Sequence, residues 1–312
     1  MYKHIAPALF VLMALVTAAA CSGNGDPGQS DRLRVVATVA PVGALTAEVG
    51  GDLIELRTLV GAGVDPHAYT ISASDRKALN NAAVVLRNGL ELDAFIDRAL
   101  GDERDKVVTV TEGVRLRIPG ETGAEEHAED DGHDHGGVDP HVWQDVGNAK
   151  VMVENIAAAL AAADPEHEAA YRENAAAYSA RLDEVDREIR ELIESIPQEN
   201  RKMVTNHDAF GYFVERYGLE LVGTVIPGMT TAAEPSAKEI ANLEDLIRRE
   251  GVKAIFAERT VEPKIARRIS ADTGVTIVDD LYGDSLGPPG SGAETVDGML
   301  LWNATRIAEA LR

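Results

Sequence analysis

Of the eight histidines in this 312-residue chain, three stand where an imidazole can be offered to a ligand. His67 lies in Gly63-Val64-Asp65-Pro66-His67-Ala68-Tyr69, and His141 lies in Val138-Asp139-Pro140-His141-Val142-Trp143, so Asp-Pro-His occurs twice. Proline fixes its own φ and restricts the residue before it, so each histidine is presented from a stiffened turn. A stiff turn reduces the entropy lost when a side chain is held in one orientation on a metal. A neighbouring aspartate can also accept the second imidazole N–H and fix the tautomer. Asp-Pro can equally do no more than open a turn, with histidine as filler, although a second copy weakens that alternative. The third candidate, His207, follows the run Val204-Thr205-Asn206 and precedes Asp208-Ala209-Phe210; a lone histidine there can also be a satisfied structural residue. The other five sort differently: His4 sits in the N-terminal apolar segment, His167 on a charged helical segment where it is read as solvated, and His127, His133 and His135 in an acidic stretch.

The elements that must position these residues alternate between strand and helix. Leu33–Val39, Ile54–Leu59, Val84–Arg87 and Val107–Thr109 read as strands, with helices at about Val42–Gly50, Ser74–Asn81, Leu92–Leu100 and Asn148–Ala163. A second series runs through strands at Lys202–Thr205, Leu219–Val225, Ala254–Ala257 and Thr276–Val278, and helices at Phe210–Tyr217, Lys238–Glu250, Lys264–Thr273 and Val296–Leu311. This alternation predicts an α/β fold of two lobes with mainly parallel sheets flanked by helices. It places His67, His141 and His207 in strand-to-helix connections, where open α/β sheets bind ligands. Between the series, Tyr171, Ala175, Tyr178, Leu182, Val185, Ile189 and Leu192–Ile193 recur at helical spacing between Pro165 and Pro197. About thirty residues at 1.5 Å each span roughly 45 Å, which suits a rigid spine between lobes better than the short seam of a coiled-coil dimer.

Composition bounds the partners. Asp and Glu number 52 against 30 Lys and Arg, for a net charge of −22. That argues against nucleic acid, whose phosphates require clustered cations, and is compatible with cation ligands, although acidity also serves solubility alone. Residues 1–20 combine Lys3, an apolar run from about Ile5 to Val16 and small residues, the pattern of a secretory signal peptide. Ala18-Ala19-Ala20-Cys21 resembles a bacterial lipobox, with Ala18 where leucine is usual, so the single cysteine is read as a lipid anchor on an extracytoplasmic protein. Residues 21–31 read as a flexible tether, 32–164 as an N-terminal lobe, 165–196 as the linking helix and 197–312 as a C-terminal lobe. The stretch 121–137 holds seven acids and three histidines and no aliphatic side chain larger than alanine, so it reads as a mobile surface loop. It either collects zinc for another site or is a solubilising insertion.

Several segments in order resemble the zinc- and manganese-specific solute-binding proteins of ABC transporters: GVDPHAYTISASD (63–75), NGLELD (88–93), DPHVWQDVGNA (139–149), NHDAFGYFVERYGL (206–219), EPSAKEI (234–240), IFAE (255–258) and LYGDSLGPPG (281–290). The likeness runs from about residue 33 to the C-terminus, and the histidine-rich acidic stretch resembles the zinc-type branch. The resemblance implies two lobes joined by one long helix with the metal between them. Its ligands would be His67 and His141 from the first lobe, and His207 and Asp284 from the second, with Asp279 and Asp280 as nearby competitors for the fourth place. It implies an ABC permease and its ATPase subunit as partners, and a monomer is expected.

Three imidazoles and one carboxylate suit a four-coordinate borderline cation, and this set favours Zn2+ over Mn2+ by intrinsic affinity. Ligand histidines must be neutral, so binding is expected to weaken as pH falls through about 6.5. A manganese or dual receptor is the alternative within the class. A secreted zinc hydrolase would need an open coordination position and a general base, and no HExxH motif occurs; a surface adhesin, mediating cell adhesion, is a third class. No enzymatic activity is expected.

Overall fold

The computed structural model describes residues 32–101, 104–118 and 137–312. Arg32–Arg312 forms one compact unit built on two sheets. The signal peptide, the tether with Cys21, and the loop histidines His127, His133 and His135 fall outside the described residues.

The first sheet contains β1 (Leu33–Val39), β2 (Ile54–Val60), β3 (Val84–Arg87) and β4 (Val107–Thr109) in the order β2-β1-β3-β4. The second contains β5 (Lys202–Thr205), β6 (Glu220–Thr224), β7 (Ala254–Glu258) and β8 (Thr276–Leu281) in the order β6-β5-β7-β8. Every strand pair among the described residues is parallel. The two sheets therefore repeat one topology, which the sequence shows only as a shared βα rhythm. The helices are α1 (Ala40–Gly50), α2 (Ala73–Asn81), α3 (Asp97–Leu100), α4 (Val146–Ala163), α5 (Glu168–Glu194), α6 (Gly211–Tyr217), α7 (Ala237–Glu250), α8 (Lys264–Thr273) and α9 (Val296–Leu311).

Both faces of each sheet are covered, as an all-parallel sheet requires. Side chains alternate along the strands accordingly. In β1, Val35, Ala37 and Val39 enter the central core while Val36 joins Leu79, Val85 and Ile96 on the outer face. In β7, Ala254 and Phe256 point inward while Ile255 and Ala257 pack outward with Leu243, Ile247 and Ile269 of α7 and α8. The central core is continuous from the first sheet to the second through α1, α4, α5 and α9.

At its centre lies α5, whose buried face is Tyr171, Ala175, Tyr178, Leu182, Val185, Ile189 and Ile193. It packs against α1, α4 and α9, so the apolar stripe is consumed within the chain and is not a dimer seam. Two carboxylates fix its neighbours. Asp297 of α9 accepts a hydrogen bond from Tyr178 (2.9 Å) and pairs with Arg181 (2.8 Å); Asp186 accepts from Tyr217 (2.8 Å) and Arg216 (2.7 Å) of α6.

Two predicted helices differ in detail. The segment Pro165–His167 is a 3-10 turn before α5 proper, which starts at Glu168. The helix expected over Leu92–Leu100 is a 3-10 turn at Ala94–Ile96 followed by the short α3. The reason is local: the Asp93 carboxylate reaches back to accept the backbone N–H groups of Asn88 (2.7 Å) and Gly89 (3.0 Å), so Leu92 and Asp93 belong to the preceding turn.

Candidate metal centre

Each of the four expected ligands lies in a loop beyond the carboxyl end of a strand. His67 follows β2, His141 lies between β4 and α4, His207 follows β5, and Asp284 follows β8. Because the sheets share a topology, His141 and Asp284 occupy equivalent places, each after the fourth strand and before a helix that packs on α5.

The structure brings the four together. One donor atom from each of His67, His141, His207 and Asp284 lies within 4.8 Å of all the others. Nε2 of His67 is 3.4 Å from Nε2 of His141 and 3.3 Å from Oδ2 of Asp284. Nε2 of His207 is 3.2 Å from Asp284 Oδ2, and Nε2 of His141 is 2.9 Å from Asp284 Oδ1. Bonds of about 2.0–2.1 Å to a tetrahedral ion separate neighbouring donors by roughly 3.3–3.4 Å, close to most of these spacings. Three of the side chains are wholly buried and His67 is 10% exposed. Both Asp284 oxygens, both ring nitrogens of His207 and both Glu258 oxygens are buried without an aligned hydrogen bond. Buried polar atoms are normally paired, so orphaned atoms clustered this tightly are what a cation site requires. Asp279 and Asp280 do not join them: Asp279 pairs with Arg267 (2.7 Å) and Asp280 with Arg306 (3.1 Å). His167 stays apart, bonded to Asp164 at 2.7 Å.

The two Asp-Pro-His turns work partly as expected. In each, the aspartate accepts the backbone N–H of the histidine, Asp65 at 2.8 Å and Asp139 at 3.0 Å. Only Asp139 also takes the ring, with Oδ1 at 2.8 Å from His141 Nδ1. Asp65 instead turns its other oxygen to Thr231 Oγ1 at 2.7 Å. The ring of His207 faces Glu258, whose Oε1 lies 2.9 Å from Nδ1. Glu258 is 1% exposed and leaves no room for a Cβ at position 283, which accounts for Gly283 beside the ligand Asp284. In the sequence Glu258 had no assigned role beyond its place in IFAE (255–258), though an acid ending the apolar run Ala254–Ala257 at the carboxyl edge of a strand was the available signal.

Further residues hold the loops. Trp143 Nε1 and Gln144 Nε2 both donate to the Gly283 carbonyl at 3.0 Å. Arg117 contacts Asp139 (2.9 Å), Asp208 (3.0 Å) and Glu215 (3.0 Å), joining the His141 turn to the His207 loop and α6. The NGLELD segment forms a left-handed turn, with φ of +78° at Gly89, +53° at Leu90 and +65° at Glu91. Consecutive left-handed residues are costly outside glycine. Buried Asp93 over-determines this turn by accepting from Thr38, Asn88, Gly89 and Arg87. Asn88 Nδ2 then donates to the Pro140 carbonyl at 3.1 Å, supporting the His141 turn from beneath.

The electrostatics follow from burying one carboxylate among imidazoles. Burial opposes a charge on His141, but the Asp284 charge and the Asp139 hydrogen bond outweigh it and push its pKa up to about 9. His207 is raised well above its ordinary value against the same burial, by Glu258 and Asp284. Burial alone would raise Asp284, yet His141 and His207 hold it well below the usual carboxylate range.

A family model described as zinc-uptake complex component A, periplasmic, matches residues 35–310. The metal ABC transporter substrate-binding lipoprotein FimA of Streptococcus parasanguinis is 30% identical, over 99% of each chain. The manganese-binding lipoprotein MntA of Bacillus subtilis is 32% identical, over 97% of each. Among solved structures, the periplasmic zinc binding protein TroA from Treponema pallidum aligns with a TM-score of 0.78 at 30% identity, covering 90% of this chain and 99% of that one.

Proposed function

The chain belongs to the periplasmic zinc-uptake complex component A family, and on that premise we propose that it captures one Zn2+ ion between His67, His141, His207 and Asp284 and delivers it to an ABC permease. The family is one of transporter receptors, so the chain is a binding protein and not an enzyme. The observation that carries the reading is the convergence of three imidazole nitrogens and one carboxylate on a buried point. Zinc is favoured because three nitrogen donors and a single oxygen suit a borderline ion, whereas harder ions prefer more oxygen. Four protein donors leave no position for a reactive water, consistent with a cargo site.

The metal is the transported substrate. Asp139 orients the His141 imidazole, Glu258 sets a buried carboxylate beside that of His207, Trp143 and Gln144 hold the Asp284 loop, and the buried surroundings keep water away. Relatives named as lipoproteins match over 97–99% of this chain, which supports an extracytoplasmic location with Cys21 as the lipid anchor. Manganese is the second reading, favoured by the name of the 32%-identical relative. One experiment covers these points: fractionate expressing cells, then purify and demetallate the membrane-borne protein. It should take one equivalent of zinc and retain it against excess manganese, and Cys21→Ser should move it to the soluble fraction. Preferential manganese retention establishes the second reading, and failure to bind either ion refutes both.

A further inference from the structure

One guanidinium contacts the loops of two ligands that come from different sheets. Nη1 of Arg117 lies 2.9 Å from Asp139 Oδ2 and 3.0 Å from Asp208 Oδ2. Asp139 stands two residues before His141 and spends its other oxygen on that ring, with Oδ1 2.8 Å from Nδ1. Asp208 directly follows His207. The rings of His141 and His207 are both wholly buried, and their centroids lie 5.4 Å apart. Polar contacts thus run from one buried imidazole through Asp139 and Arg117 to the loop that carries the other.

The chain keeps a fitted place for this guanidinium. The Arg117 side chain is 10% exposed, and that of Asp139 is wholly buried. The guanidinium lies over Gly211, the first residue of α6, where the Cβ of any other residue would collide with it. Nε pairs with Glu215 of the same helix at 3.0 Å. The backbone is tied as well. The Arg117 N–H donates to Tyr212 Oη (2.9 Å), which donates to the Asp139 carbonyl (2.9 Å), and the Asp139 N–H donates to the Arg117 carbonyl (2.9 Å). With its main chain and its planar head both fixed, Arg117 resists any movement of Asp139 or Asp208 away from it, because each contact is a charge-assisted hydrogen bond.

We propose that Arg117 is a positioning residue that determines metal specificity: by holding Asp139 and Asp208 on one nitrogen, it fixes the His141 and His207 ligands at the spacing of a four-coordinate ion. This rests on the zinc reading above. Zinc takes four donors at about 2.0–2.1 Å, whereas manganese suits a larger, oxygen-rich shell. A centre free to widen therefore loses more affinity for zinc than for manganese. Without the guanidinium, the two carboxylates would also face each other with no cation between them, and their repulsion would part the loops.

The test measures zinc and manganese affinities of the demetallated full chain by chelator competition, and the visible spectrum of Co2+ added in place of zinc. Cobalt absorbs strongly when four-coordinate and weakly in larger shells, so it reports the geometry directly. Arg117→Gln should lower the zinc-to-manganese affinity ratio about tenfold or more, the usual scale for a residue that supports a ligand's partner, and should weaken the cobalt bands. Asp208→Ala, which removes the leg to the His207 loop alone, should shift both readouts the same way, and it decides the matter if Arg117→Gln does not fold. Arg181→Gln takes away a comparable arginine, one that pairs with Glu48 and Asp297. It should lower the melting temperature yet leave the ratio and the bands at their wild-type values. Wild-type behaviour of folded Arg117→Gln or of Asp208→Ala, or an equal shift in Arg181→Gln, overturns the role of Arg117 while the zinc reading stands. A wild-type chain that prefers manganese, or takes up neither ion, defeats the zinc reading and this inference with it.

Discussion

At the scale of single residues, the centre is an anionic group and its imidazoles waiting to exchange protons for an ion. Because His141 titrates at about 9 and not near 6.5, its protonated form stabilises the metal-free fold fully below about 6.5, and that contribution is lost as pH rises through about 9. Metal needs the bare Nε2, so affinity gains across the same window. The sequence alone placed this transition near 6.5, because the buried Asp139 and Asp284 beside the ring are visible only in three dimensions. We expect zinc affinity, measured by chelator competition, to climb steeply from pH 6.5 to 9. Asp139→Asn should flatten that climb and weaken binding about 10- to 100-fold at pH 9, the usual cost of losing such a brace. An unaltered pH profile in Asp139→Asn would rule this account out. The Asp-Pro-His turns were legible because their capping bonds are local, within two residues. Glu258, Arg117 and Thr231 were not, since their partners lie far along the chain.

At the scale of elements, most strands were read to within a residue at each end, because buried parallel strands are short β-branched runs bounded by turn residues; β8 runs on through Asp279 and Asp280 to Leu281, three residues past the expected end at Val278. The helix expected at Leu92–Leu100 failed for a reason no periodicity contains: Asp93 is spent on holding the left-handed turn behind it. The spine was legible as an amphipathic stripe, but its partners α1, α4 and α9 were not. They give α5 its structural weight, since one continuous core runs from sheet to sheet along it. Leu182, fully buried on that stripe, should therefore matter to the whole fold. Leu182→Ala is expected to cost about 2–5 kcal/mol in denaturant unfolding, in a single transition covering both sheets. Separate transitions would show that the spine does not unite them.

At the scale of the molecule, two copies of one strand order bring the carboxyl ends of their strands to a common centre, with His67 and His141 from one sheet and His207 and Asp284 from the other. The repeat was invisible in the sequence because strand order depends on where crossovers lie, which leaves no residue signature. Arg117, the Trp143 and Gln144 bonds to Gly283, and the Thr231–Asp65 bond all cross between these halves, so the centre is assembled by the fold as a whole. X-ray absorption at the zinc edge tests this most directly, on the chain lacking residues 121–137 so that the loop histidines contribute nothing. The account predicts one zinc per chain with a shell of three imidazole nitrogens and carboxylate oxygen at about 2.0–2.1 Å. A shell dominated by oxygen, or loss of stoichiometric zinc on removing the loop, would contradict it.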